Sequence, residues 1–175
     1  IKEVKPVIDA MFLPKRQFFL DFIKNKKHLS DNVLTIYPIN KISRRETAIE
    51  TANRLKCKLV KIATGNTYDC QQLIERSIVL DDIEISNPPE NPIKFEDWIE
   101  TMFNSRYILC CDYYSICVSI MLMKNFVIFE DLDDTRVDFI INKLGLQNRV
   151  IQNHDIDKAV ELFNTAIDWK PIYEN

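Results

Sequence analysis

Apolar positions along the chain recur with two periods, and the alternation between them predicts the elements. Behind Pro14, the segment KRQFFLDFIKNKK places Phe18, Phe19, Phe22 and Ile23 on one helical face. NVLTIYPI is a β-rich run closed by Pro38 and reads as a first strand. In NKISRRETAIETANRLKC, Ser43 and Glu46 have capping-box spacing, which predicts a helix starting at Ser43. Ile49, Ala52 and Leu55 continue its apolar face, and CKLVKIA follows as a second strand. Residues 64–91 are less regular. CQQLIERSI suggests a short helix and DDIEI a short strand before NPPENP breaks the pattern. From Phe95 the pattern sharpens again. Phe95, Trp98, Ile99, Met102 and Phe103 mark an amphipathic helix, YILCC a strand, YYSICVSIMLM a buried helix and FVIF another strand. A helix is predicted over Thr135–Leu144 with Gly145 as its C′ residue, then a short strand at RVI. DIDKAVELFNTAI closes the pattern as a terminal helix capped by Asp155.

Helices alternating with near-continuous apolar strands predict a parallel sheet covered on both sides. The expected architecture is one Rossmann-like domain over residues 1–175, an α/β fold with three α/β/α layers and a mainly parallel sheet. In such folds ligands gather at the carboxyl ends of the strands. Those ends fall after Pro38, after Ile62, around Asp112, and around Asp131 to Arg136. The apolar run from Tyr107 to Phe129 has the length of a membrane span, but Asp112, Lys124 and Asn125 divide it into strand- and helix-sized pieces, so no span is expected.

Composition narrows the chemistry. The 175 residues carry a net charge of −3, which gives no electrostatic footprint for a nucleic-acid partner. With two glycines, Gly65 and Gly145, the chain lacks both the dinucleotide fingerprint and the P-loop, whose backbone amides need several glycines to approach phosphate. ATGN around Gly65 reads either as a β-turn or as a phosphate-binding turn. The five cysteines form no CxxC pair, and adjacent Cys110 and Cys111 would point to opposite faces of a strand. Buried thiols, a reducing cytoplasmic setting and no metal site are the expectations. The chain opens on Ile1 without a signal-peptide pattern and reads as part of a longer protein.

From residue 92 onward the sequence resembles the carboxyl-terminal half of polysaccharide pyruvyl transferases. The family's helix, its strand into TDSFHG, its apolar helix into NKPF and its later R…LL..LGL..R have counterparts here. They are FEDWIETMFNSRYIL, CCDYYS, ICVSIMLMKNF and TRVDFIINKLGLQNRVI, while VIDAMFLP with Asp9 looks like an earlier family segment. The resemblance implies one half of a GT-B-like pair of Rossmann-like domains, with an amino-terminal domain as partner. It also implies transfer of pyruvate from phosphoenolpyruvate to sugar hydroxyls in surface-polysaccharide biosynthesis, without a further cofactor. The family's Ser-Phe-His-Gly falls on Asp112, Tyr113, Tyr114 and Ser115, so a phenol and a hydroxyl replace the imidazole and the glycine. A phenol is a poor proton acceptor at neutral pH. A GT-B-like glycosyltransferase using a nucleotide sugar and a non-catalytic interaction domain are the rival readings.

Six residues are the candidates for a site. Asp112 either caps the helix that follows it through the amides of Tyr114 or Ser115, or serves as a base or sugar-hydroxyl acceptor. Tyr114 either is a core tyrosine with a satisfied hydroxyl or donates to a bound carboxylate or phosphate. Ser115, at the family's glycine position, is a candidate substrate contact. Arg44 and Arg45 stand in a first helical turn, where the dipole disfavours cations. They read either as exposed, screened side chains or as ligands for an anion such as phosphoenolpyruvate. Arg136 matches the family arginine that the resemblance assigns to the donor, and it could equally pair with Asp131, Asp133 or Asp134. His28 and His154 lie in polar connections and read as surface residues.

Overall fold

The computed structural model describes residues 12, 15–21, 23, 33–37, 42–62, 83–85, 94–130, 132, 134–152 and 154–174. The helix expected at CQQLIERSI, the ATGN turn, Asp9, Phe22, His28, Cys70, Asp131 and Asp133 lie outside these residues.

Among them the elements run α1 (Arg16–Asp21), β1 (Val33–Tyr37), α2 (Ile42–Leu55), β2 (Lys58–Lys61) and β3 (Ile83–Ile85). They continue with α3 (Phe95–Asn104), β4 (Tyr107–Cys110), α4 (Tyr113–Met121), β5 (Asn125–Phe129) and α5 (Thr135–Leu144). A 3-10 turn (Gln147–Arg149), β6 (Val150–Ile151), α6 (Ile156–Phe163) and α7 (Lys170–Glu174) complete the chain. The six strands form one sheet in the order β3-β2-β1-β4-β5-β6, with every pairing parallel. This is an α/β fold whose strand order is that of doubly wound sheets, compatible with a Rossmann-like architecture.

Alternation along the central strands sorts their side chains into two apolar clusters. Ile108, Cys110, Phe126 and Ile128 pack with Ile99 and Met102 of α3, Ile116 and Ile120 of α4, and Val137 and Ile140 of α5. Tyr107, Leu109, Val127 and Phe129 pack instead with Ala48 and Ala52 of α2 and with Leu162 and Phe163 of α6. Cys110 and Cys111 fall into different clusters, and both thiols are free. Burial pushes the Cys110 thiol up to about 12, so it is an inert core group.

Three expectations are corrected. The helix α2 begins at Ile42, so Ser43 lies within its first turn instead of preceding it as a cap. The helix at Asp155 is not the last. After it, α7 forms around Pro171, which suits a first helical turn. It is held by buried Ile172 and by the Tyr173 hydroxyl donating to the Ile120 carbonyl at 2.7 Å. The first-turn arginines are not exposed. Arg44 is 2% and Arg45 8% exposed. Because α2 packs its small residues Ala48 and Ala52 against the sheet, its first turn is drawn down over Phe129. The Arg44 guanidinium carbon lies 5.8 Å from that ring centre. Among the described residues no helix is long and apolar enough to cross a membrane.

Candidate functional site at the carboxyl edge of the sheet

The neighbouring strands β1 and β4 lead into helices that join different clusters, α2 beside Leu109 and α4 beside Cys110. A sheet wound in two directions opens a crevice at that point, beyond the carboxyl ends of its strands. Every described candidate from the sequence stands on this edge, in the first turns of α2, α4 and α5 or just before them.

Asp112 is the N-cap of α4. Its backbone is extended (φ −156°, ψ 172°), and its Oδ1 accepts from the Ser115 amide at 2.7 Å. The Ser115 hydroxyl accepts from the Asp112 amide at 3.3 Å and donates to the Asp112 carbonyl at 2.8 Å. The two side chains thus close a capping box in which serine takes the place usually held by Glu or Gln. Ser115 is fully buried, so its hydroxyl serves the helix end. Burial pushes the Asp112 carboxyl above the usual carboxylate range, opposed by the Ser115 bonds and the Arg136 charge. The sign follows. A carboxyl that holds its proton more tightly in the folded state favours folding in acid, and that contribution is lost as pH rises through the folded value. Asp112→Asn keeps a good cap without the ionisation, so it should match or exceed the parent at pH 7 and remove this acid-side slope. Asp112→Ala should lose about 1 kcal/mol by urea unfolding.

Tyr113 and Tyr114 divide the roles differently from the expectation. Tyr113 is the core tyrosine, 4% exposed, whereas Tyr114 is 44% exposed, because adjacent helical positions diverge by about 100°. The two rings meet edge to face at 5.7 Å. Over them lies Arg136, its guanidinium carbon 4.8 Å from the Tyr113 ring and 5.4 Å from the Tyr114 ring. Asp134 holds this guanidinium as a fork, Nε to Oδ1 at 3.0 Å and Nη2 to Oδ2 at 2.7 Å, and caps α5 by accepting from the Arg136 amide. The Arg136 bonds push the Asp134 carboxyl below its usual range. The remaining arm, Nη1, donates to the Tyr114 hydroxyl at 3.4 Å. Arg136 is therefore a fixed, exposed cation whose plane is set by three neighbours.

The structure brings Asp112, Tyr114, Ser115 and Arg136 together beside α4. Arg44 and Arg45 reach the same edge from α2, on the Phe129 side, and Leu132 packs against both clusters between them. Three functional or architectural residues escaped the sequence reading. Arg149 and Lys124 are buried or half-buried cations, and His154 lies against Phe129 with ring centres 5.5 Å apart. For Arg149 and Lys124 the signal was a basic residue set directly against a strand, which by itself does not say what the side chain meets, whereas His154 stands in a polar connection three residues past β6. A separate groove of about 590 Å³ opens at the opposite end, lined by Gly145, Asn148, Arg149, Lys158, Thr165 and Asp168 among others. It holds none of the candidate residues. Among the described residues no group of three or more His, Cys, Asp or Glu side chains converges as metal ligands would.

Compared with known proteins, the chain matches no family model and no curated protein.

Proposed function

We propose that the carboxyl edge binds a phosphorylated anion, and that the chain is the carboxyl-terminal half of a pyruvyl-transferase-like protein acting on surface-polysaccharide precursors in the cytoplasm. In this reading the domain is a three-layer α/β/α half of a GT-B-like pair. Phosphoenolpyruvate is the donor, a sugar is the acceptor, and an amino-terminal domain completes the site. The observation that carries it is Arg44, a fully buried arginine in the first turn of α2 at the point where the winding reverses. It places a cation at the edge where such sheets gather ligands, and a phosphorylated anion has the matching charge. Arg45 beside it and Arg136 across the crevice supply further charge, and the Arg136 plane suits a carboxylate or phosphate. Asp112 and Ser115 are engaged in capping α4, which makes them poor bases and leaves binding to the arginines. The Tyr114 hydroxyl accepts from Arg136 and keeps its own proton to donate to the ligand.

Calorimetric titration of the full-length protein with phosphoenolpyruvate tests the proposal. Binding is expected, and Arg136→Ala should weaken it about tenfold, the loss of one charge-assisted contact of roughly 1.4 kcal/mol. Absence of binding, together with thermal stabilisation by nucleoside diphosphates, would replace this reading with the glycosyltransferase one.

A further inference from the structure

We infer that His154 is a ligand-contacting group of the carboxyl edge and hydrogen-bonds the phosphate of the bound molecule. The inference rests on the reading of that edge as a phosphate site and adds to it an imidazole that the capping stretch of α4 lacks. Position is the first ground. Phe129 and Ile151 are register partners at the ends of β5 and β6, and the Glu130 amide donates to the Ile151 carbonyl at 3.0 Å, so the two strands finish side by side. His154 follows three residues later, and its ring rests on Phe129, the same ring that carries Arg44 from the other direction in sequence. The imidazole and the buried guanidinium are thus each less than 6 Å from one aromatic ring at the edge where ligands gather.

The second ground is what His154 costs the fold. Its φ is +58°, in the left-handed region that residues bearing a Cβ enter at an energetic cost. Its Nδ1 is buried without a hydrogen-bond partner, and a desolvated polar atom left unpaired destabilises the fold. Asparagine or glycine would hold the same turn with less strain and no buried ring nitrogen. Among the described residues no polar group is bonded to the imidazole Nδ1. The Asp155 carboxylate is turned to the Lys158 amide at 2.9 Å, and Glu130 is exposed. A strained imidazole with an unmet hydrogen bond, sharing the Phe129 ring with a cation at a ligand-binding edge, fits an oxyanion whose oxygen supplies the missing partner once the ring turns Nδ1 out of its buried position.

Imidazole ¹H–¹⁵N correlation spectra of the full-length protein, titrated separately with phosphoenolpyruvate and with inorganic phosphate, read this directly. The His154 signals should move saturably with phosphoenolpyruvate. His154→Asn should weaken that binding at least tenfold while leaving the midpoint of thermal unfolding unchanged or raised, and His154→Gly should do the same. Binding that leaves the His154 signals in place overturns the inference, although the donor proposal survives. So does a fall of more than about 3 °C in both variants, which would mark a purely structural residue. If phosphoenolpyruvate does not bind while inorganic phosphate moves the His154 signals, the inference stands and the donor proposal fails. If neither anion moves them, the inference falls.

Discussion

Arg149→Leu is expected to destabilise the protein by about 4 kcal/mol, the scale set by losing a buried charged donor that satisfies several acceptors. Arg149 is 3% exposed and has no carboxylate partner among the described contacts. Its Nε donates to the Phe126 carbonyl at 2.9 Å, and Nη2 reaches the same carbonyl and the Asn125 side-chain oxygen, the latter at 2.7 Å. Its Nη1 donates to the Leu162 carbonyl in the last turn of α6 at 3.1 Å. The reason for this arrangement lies in the sheet. β6 is only two residues long and pairs Val150 with Ile128 and Ile151 with Phe129. The Phe126 carbonyl, two residues before Ile128, points the same way but finds no strand beyond Val150. The guanidinium stands where that strand would be, and it also places a cation at the carboxyl end of α6.

Leucine fills similar space but strips the Phe126 carbonyl of the guanidinium in a dry interior, while the Leu162 carbonyl keeps only its bond from the Thr165 amide at 3.1 Å. Urea unfolding should show the loss as a lower midpoint with little change in slope, and a thermal midpoint lower by about 8–16 °C. Arg149→Lys should also lose stability, because an ammonium keeps the charge but cannot reproduce the fork that spans strand and helix. A loss below about 1 kcal/mol in the leucine variant would mean that the staple contributes no more than an ordinary surface contact.

Arg149 closes the segment LGLQNR, and Lys124 opens KNF. Both residues have architectural work in this fold. Lys124 reaches back to the Phe103 carbonyl at the end of α3, at 2.8 Å. Gly145 in the same segment takes the left-handed C-cap of α5, φ 66° and ψ 37°. Such residues report how a strand, a helix and a turn are joined.

From Phe95 onward the elements were legible because each rests on local pattern. The 3.6-residue spacing of Ile99 and Met102 set α3, and the unbroken apolar runs set β4 and β5. Asp155 and Gly145 acted as punctuation through their own caps. The cap at Asp112 was readable for the same reason, since its partner is only three residues away. What escaped depends on residues distant in sequence. Arg44 is buried because Phe129 lies beneath it, 85 positions away by number. Which of Tyr113 and Tyr114 enters the core depends on how α4 is rotated on the sheet, and a helix apolar on nearly every side does not reveal that rotation. α7 is too short for any periodicity and is fixed by Ile120 and Phe126, through Tyr173 and Trp169. His154 looked like a loop residue because its loop is polar, and only the register of β5 and β6 brings it to Phe129.

Lys124 should make stability rise with pH across the mildly alkaline range. Its amine is half-buried between α3 and α4, over the Phe103 ring, and burial, helped by the Arg16 charge, pushes it down to about 8. In the unfolded chain the same amine keeps its proton to a higher pH, so between the two values the unfolded state binds more protons and stability climbs with pH. The penalty is complete below about pH 8 and gone above the ordinary lysine range. Its size is about 2 kcal/mol after allowance for the partial exposure of the group. Two other groups act in the opposite sense. Burial pushes the Cys110 thiol up to about 12 and the Tyr173 phenol above its usual range, so their contributions fall as pH rises past the values for free thiol and phenol. The measurement is therefore the difference between the parent and Lys124→Met, followed by urea unfolding from pH 7 to 10.5. Cys110 and Tyr173 are common to both proteins and cancel, while the unmatched Phe103 carbonyl in the variant adds an offset that does not vary with pH. The parent should gain on the variant by about 2 kcal/mol across this range. A difference that stays flat would show that the amine keeps its solvent and its ordinary affinity for a proton.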